Sequence, residues 1–270
     1  MQYLEIHIKD IVPEKRDWVF AYLPSFGFSQ FEELETDVKA YAASTDANLE
    51  ALKEWMKDQS LSFEISTIHE TNWNASWEAN FQPVEIPEKI LVRADFHPAK
   101  KNVIYDIIIT PKMSFGTGHH ATTKMMMEAM LEIDFTGKKV LDFGTGTGIL
   151  AILAEKMGAS EVLAIDNDQW SYENASENLR HNETKKITVE LKDQLNGLGL
   201  FDIVLANINK NILTDHAFGL SALLKQNGIL VLSGLLSVDY EDIRLKYDPL
   251  FGPNFKQIQE SGWMALAFKR

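Results

Sequence analysis

The chain of 270 residues contains no cysteine. Disulfides, thiolate nucleophiles and cysteine-based metal sites are therefore excluded. It also lacks any run of about 18 or more apolar residues, the length a bilayer-spanning helix needs. Positive charge is scarce, with 26 Lys and Arg against 39 Asp and Glu, a formal net charge of −13. A free nucleic-acid backbone needs a basic face, so no direct nucleic-acid binding is expected. The N-terminus, Met1 to His7, alternates like a strand and shows no basic-then-apolar leader, so the expectation is a cytoplasmic protein with no membrane partner. Internal repeats and low-complexity tracts are missing as well.

What is present is enough for a well-formed core. Hydrophobic residues make up 45% and charged residues 24%, which suits one large domain or two of ordinary size. The acidic excess is uneven. Residues 1–70 hold six Lys/Arg and fourteen Asp/Glu, a net −8. Such a surface either keeps the chain soluble or steers a basic protein partner.

The first seventy residues alternate between short elements. Tyr3–Ile8 predicts a strand, and Glu14–Leu23 a helix behind Pro13. Phe28–Leu34 and Asp37–Ala43 predict a hairpin. Thr45 is placed to cap a helix through Lys57, and Leu61–Ile68 predicts a last strand. The order β-α-β-β-α-β is the split-βαβ, ferredoxin-like pattern of a small α+β domain over 1–70. Trp73, Trp77 and Phe81 follow at i, i+4 and i+8, a packing stripe on a short helix, and Pro83 and Pro87 then break the chain. Residues 71–84 therefore predict a helical linker, and 85–270 a second domain.

In that second domain Ile90–Ala94 and Asn102–Thr110 predict strands, after which helices alternate with apolar strands. Helices are predicted over Ala121–Ile133, Ile149–Met157 and Gln169–Asn182, and after Ala206 through about Leu224. Strands are predicted at Lys139–Phe143, Glu161–Ile165, Ile187–Leu191, Asp202–Ala206 and Gly228–Ser233. That alternation means an α/β fold with a parallel sheet covered on both faces. Phe255–Glu260 and Trp263–Phe268 around Ser261-Gly262 break it with a terminal antiparallel hairpin.

The chemistry sits where Lys139–Phe143 ends in three glycines at alternate positions, Gly144, Gly146 and Gly148, just before a helix. Glycine lets the turn take positive φ and lets a ligand lie against bare backbone. The next strand ends in Asp166, whose carboxylate can accept both hydroxyls of a ribose. Together they read as a nucleoside site. A dinucleotide fold prefers G-x-G-x-x-G, whereas the spacing here is G-x-G-x-G, with Asp142 two residues ahead of it. With the terminal hairpin, these details resemble class I S-adenosylmethionine methyltransferases.

Asn207 is polar at the mouth of the apolar strand Val204-Leu205-Ala206, where its amide can bind cofactor, orient an acceptor nitrogen or cap the next helix. A second glycine-bearing segment, Pro111 to Lys124, is a loop that enters the helix at Ala121. Thr122 and Thr123 in its first turn can hold the polar end of a ligand. His119 and His120 point in different directions at a helix start and no carboxylate follows at ligand spacing, so no metal is expected. Met125, Met126, Met127 and Met130 read as core. No residue stands out as a general base, and the catalytic residues stay unassigned.

Phe-Gly-Thr-Gly-His-His-Ala-Thr-Thr (115–123), Leu-Asp-Phe-Gly-Thr-Gly-Thr-Gly-Ile-Leu (141–150) and Ala-Asn-Ile (206–208) together resemble the bacterial ribosomal protein L11 methyltransferase family. The likeness covers essentially the whole chain, and the 115–123 loop is its specific part. It implies a ferredoxin-like domain that recognises the ribosomal protein, a linker and a catalytic domain. It further implies S-adenosyl-L-methionine as cofactor and trimethylation of the N-terminal amine and lysine side chains of large-subunit ribosomal protein L11. By position it makes Thr123, Gly144, Gly146, Asp166 and Asn207 the cofactor-binding residues.

Overall fold

The structure, a computed structural model, describes residues 2–28, 30–33, 36–45, 47–69, 82–110 and 116–270. The chain divides into two compact units, residues 1–81 and 82–270. Trp73, Trp77 and Phe81, with Phe115 of the second glycine loop, lie outside the described residues.

In the first unit β1 (Gln2–Lys9), α1 (Pro13–Tyr22), β2 (Gln30–Glu33), β3 (Val38–Ala43), α2 (Leu49–Asp58) and β4 (Ser62–His69) follow in the expected order. The strands pair antiparallel as β2-β3-β1-β4. Buried and half-buried residues alternate along β3, and Val38 and Ala40 join Ile6, Ile8, Val19, Leu52 and Met56 in one core. The cap of α2 differs from the expectation. Thr45 lies in the turn closed by Ala47 N donating to Ala43 O, and Asn48 caps the helix by accepting from Ala51 N. Asparagine is as good a cap as threonine or better, so the helix starts at the later site.

The second unit carries a seven-stranded sheet in the order β10-β9-β8-β11-β12-β14-β13. Its strands are β8 (Lys139–Phe143), β9 (Glu161–Asp166), β10 (Ile187–Leu191), β11 (Phe201–Asn207), β12 (Leu224–Leu236), β13 (Lys256–Glu260) and β14 (Trp263–Lys269). The first five in that order pair parallel, and the β13–β14 hairpin joins β12 antiparallel. Side chains alternate between two cores. Val140, Ile203 and Leu205 pack on one face with α3 (Ala121–Met130) and α4 (Ile149–Lys156). Leu141, Val204 and Ala206 pack on the other with α6 (Lys210–Ala222) and α7 (Tyr240–Phe251). The remaining helix, α5 (Gln169–His181), connects β9 to β10. Strand order reverses between β8 and β11, because the chain builds outward to β10 and then returns to the other side of β8. That reversal opens a crevice at the carboxyl ends of the two strands.

Two features depart from the expectation. The strands expected at 90–94 and 102–110 are present, in a sheet of their own that the sequence did not predict. They form β6 (Ile90–Arg93) and β7 (Tyr105–Ile108), which with β5 (Val84–Ile86) make a separate three-stranded sheet. Helix α7 is new, since only Ile243 and Tyr247 are buried along it and Pro249 sits in its last turn. So thin a stripe ending in proline reads as loop. Two expected elements also change length. Strand β12 begins at Leu224 rather than Gly228, and its start is held by the last residue of the chain. Asn227 N donates to Arg270 O at 2.8 Å, and Arg270 N donates to Gly228 O at 2.9 Å. Helix α3 ends at Met130, three residues early.

Candidate functional site

The crevice holds a cavity of about 950 Å³, the size of a drug-like ligand site. Gly144, Gly146, Asp166, Thr123 and Asn207 all line it, so the five residues singled out from the sequence converge at one place. Their arrangement follows from the sheet. Beyond β8 the amides of Gly144 and Thr145 both donate to Ile165 O, at 2.9 and 3.0 Å, which folds the glycine turn over the end of β9. Asp166, next along β9, accepts from Gly146 N through Oδ2 at 2.9 Å and from Asp168 N through Oδ1 at 3.1 Å. Each carboxylate oxygen thus spends one lone pair on backbone and keeps the other for a ligand.

Gly144 has φ +75°, and a Cβ there would stand 2.3 Å from Ile208 Cγ2. Bare backbone at this point lets the glycine turn and the segment after β11 touch.

Across the cavity Thr123 is fully buried on α3, and its Oγ1 accepts from Asn207 Nδ2 at 3.3 Å. Asn207 Oδ1 has no hydrogen-bond partner among the described residues. A buried acceptor without a partner costs about 1–3 kcal/mol, and a donor on a bound molecule removes that cost. The cap of α6 is Asn209, which accepts from Ile212 N at 3.1 Å. Asn207 is therefore released from the capping role that its position also allowed. Thr122 behaves otherwise: its amide donates to His120 Nδ1 at 3.3 Å and its hydroxyl pairs with the same nitrogen at 2.7 Å, so His120 caps α3 with both groups. The His120 ring lies edge-on to Trp263, centroids 4.8 Å apart, while His119 Nε2 bonds Gln82 O at 2.8 Å. The two histidines are thus turned to different partners. Among the described residues no group of three or more His, Asp or Glu is placed to hold a metal.

Other lining residues were not singled out from the sequence. Lys192 to Asn196 follow β10, where Lys192 N donates to Asp166 O at 2.7 Å, and Ile208, Gly234 and Trp263 close the other end. The rule that ligands sit at the carboxyl ends of parallel strands already pointed to the first group. No such signal marked Gly234.

Asp142, beneath the turn, is completely buried, and burial pushes its carboxyl up to about 7. The Thr145 hydroxyl, donating to Oδ2 at 2.6 Å, and the Ala151 amide pull the other way, and the charge of Asp166 adds a smaller upward push. A carboxyl held up in the fold takes protons that the unfolded chain has already released. Between pH ~4 and the folded value near 7, stability therefore falls as pH rises, by up to about 1.4 kcal/mol per pH unit. Asp142→Asn is expected to flatten this slope in denaturant melts across that window. An unchanged slope would show Asp142 ionised in the fold.

The family model for ribosomal protein L11 methyltransferases matches residues 6–270. The chain belongs to the ribosomal protein L11 methyltransferase family. Members of this family with similar sequences include one from Porphyromonas gingivalis, 41% identical over 261 residues that cover 93% of this chain and 90% of the relative. A second, from Phocaeicola vulgatus, is 37% identical over 278 residues covering 99% of both. Among solved structures, the ribosomal protein L11 methylase of Lactobacillus delbrueckii subsp. bulgaricus is 29% identical with a TM-score of 0.62, covering 70% of this chain and 99% of its own. A Pyrococcus furiosus methyltransferase is similar in fold alone, at 18% identity and a TM-score of 0.51 over 60% of this chain and 88% of that one. The family's catalytic fold is thus the class I methyltransferase sheet seen here.

Proposed function

We propose that the chain is a protein methyltransferase that moves methyl groups from S-adenosyl-L-methionine to lysine side-chain and N-terminal amines of large-subunit ribosomal protein L11, to the trimethyl level. The observation that carries this reading is the convergence of Asp166, the glycine turn and the buried, unpartnered Asn207 Oδ1 on one cavity at the strand-order reversal. When bound, S-adenosylmethionine would supply the methyl group, from its sulfonium, for transfer to an amine. Asp166 holds the ribose hydroxyls with its remaining lone pairs. Gly144 and Gly146 lay bare backbone against the cofactor, and Thr123 fixes the Asn207 amide so that Oδ1 accepts an N–H from a nitrogen bound in the cavity. The chain mainly positions the two reactants, the larger part of such a catalysis.

A lysine amine has a reference pKa near ~10.4 and attacks only once deprotonated. Phe143, Leu195, Ile208, Ile212 and Trp263 give the cavity apolar walls that disfavour the charged amine. The acidic N-terminal domain, residues 1–70, recognises the basic ribosomal protein, and the segment at 71–84 links it to the catalytic domain. The expected setting is the cytoplasm, with L11 free or on the ribosome. Mass spectrometry of ribosomal proteins from a strain lacking this chain's gene tests the reading. L11 is expected to appear without its methyl groups. Unchanged L11 together with a change in another protein or a small molecule would reassign the acceptor and keep the chemistry.

A further inference from the structure

Two fully buried polar residues, Thr147 and Asn178, do not line the cavity yet hold its glycine turn in place. Thr147 lies between Gly146 and Gly148. Its hydroxyl donates to Gly116 O at 2.6 Å, and Gly116 is part of the cavity wall. A Cβ at Gly116 would fall 2.8 Å from that hydroxyl, so the close approach needs glycine on one side and a hydroxyl on the other. The Thr147 carbonyl accepts from Asn178 Nδ2 at 2.9 Å. The same Asn178 accepts from Thr110 N through Oδ1 at 2.8 Å and donates a second bond to Asn174 Oδ1 at 3.2 Å. Thr147 is thereby tied to Gly116 directly and to Thr110 through Asn178. The glycine turn is thus bonded directly to the cavity wall at Gly116 and, through Asn178, to Thr110.

One rung further along, Asn182 makes a similar pair of bonds to a different place. It accepts from Ile108 N at 2.9 Å and donates to Ile108 O at 2.6 Å, gripping β7 without touching the glycine turn. Asn178 and Asn182 are thus chemically alike and differ in what they hold.

We propose that Thr147 and Asn178 are positioning residues that lock the glycine turn to Gly116 in the cavity wall and to Thr110 at the end of β7, and so set the affinity of the cavity for its nucleoside cofactor. The inference rests on the cofactor reading above. Removing the Thr147 hydroxyl takes the donor from Gly116 O in the cavity wall, and removing the Asn178 amide leaves the buried Thr147 O without its donor. Either orphan is relieved by the turn and wall moving apart, which spoils the seat.

The test is calorimetric titration of the full chain with S-adenosylhomocysteine, alongside thermal melts. Thr147→Val, which exchanges only a hydroxyl for a methyl, is expected to weaken binding about ten-fold, the size of one buried hydrogen bond. Thr147→Ser is expected to recover most of that loss. Asn178→Leu is expected to weaken binding similarly, and the double variant by less than the product of the two, because both bonds hold the same glycine turn. Asn182→Leu is expected to lower the melting temperature while leaving the affinity close to that of the unmodified chain. If Thr147→Val and Asn178→Leu melt earlier but bind as tightly as the unmodified chain, both residues are merely structural and the proposal is overturned. Should Asn178→Leu not fold, Thr147→Val against Thr147→Ser decides alone. An unmodified chain that does not bind S-adenosylhomocysteine would overturn the cofactor reading itself and this proposal with it.

Discussion

Asp166→Ala is expected to cost roughly 1–3 kcal/mol of S-adenosylhomocysteine affinity, about five- to 150-fold in Kd. Two losses add up at this position. The ribose hydroxyls lose a charged acceptor, and bonds to ionised groups are the stronger kind. The amides of Gly146 and Asp168 lose their shared partner as well, so the glycine turn is no longer tied to the end of β9. Asp166→Asn keeps one acceptor and the shape of the side chain, and is expected to fall between alanine and the unmodified chain. Calorimetry on the three proteins reads this directly. Equal affinities would remove Asp166 from the site.

The second large effect concerns a residue that touches no side chain of note. Gly234 follows the last β11–β12 rung, Asn207 opposite Ser233, at a shift of register between β12 and β14. Its φ is +85°, and a Cβ there would stand 2.1 Å from Ile208 O, 2.7 Å from Ile208 C and 3.0 Å from Ile208 N. All three are backbone atoms, so nothing can rotate aside. Gly234→Ala must push away the peptide next to Asn207, whose Oδ1 is the proposed acceptor for a nitrogen bound in the cavity. A displacement of about 1 Å at such a place costs on the order of a hundred-fold in turnover. The expected result is a kcat lower by that factor with a smaller change in S-adenosylhomocysteine affinity, since Asp166 at the end of β9 keeps its contacts. Normal turnover by folded Gly234→Ala would show that the Ile208 peptide does not set the transfer geometry. Gly144→Ala offers a contrast. Its clash is with Ile208 Cγ2, so adding Ile208→Ala removes the contact and restores part of the activity that Gly144→Ala alone loses.

These two residues also mark how far the sequence can be read. Asp166 is visible because a βαβ unit places the end of its second strand beside its first turn, whatever the rest of the chain does. Strands β8 and β10 fall on their expected residues, Lys139–Phe143 and Ile187–Leu191. Gly234 is different. Its role exists only because β12 lies beside β11 and shifts register against β14, and such long-range placement leaves no local pattern. The same holds for Thr147 and Asn178, which read as an ordinary loop threonine and a helical asparagine until the fold brings them together. Helix α7 was hidden for a local reason, its narrow apolar stripe and Pro249. The separate sheet β5-β6-β7 was hidden because strand periodicity shows that a segment pairs and not with whom. Asn207 stood between capping and binding until Asn209 proved to be the cap of α6.

The claim that matters most is methyl transfer to ribosomal protein L11, and the most direct measurement is the intact mass of purified L11 after incubation with this chain and S-adenosylmethionine. The account predicts stepwise gains of one methyl group each, up to trimethylated sites, with far fewer from Asp166→Ala at the same cofactor concentration. An L11 whose mass does not change, in a reaction where the chain binds S-adenosylhomocysteine, would contradict it.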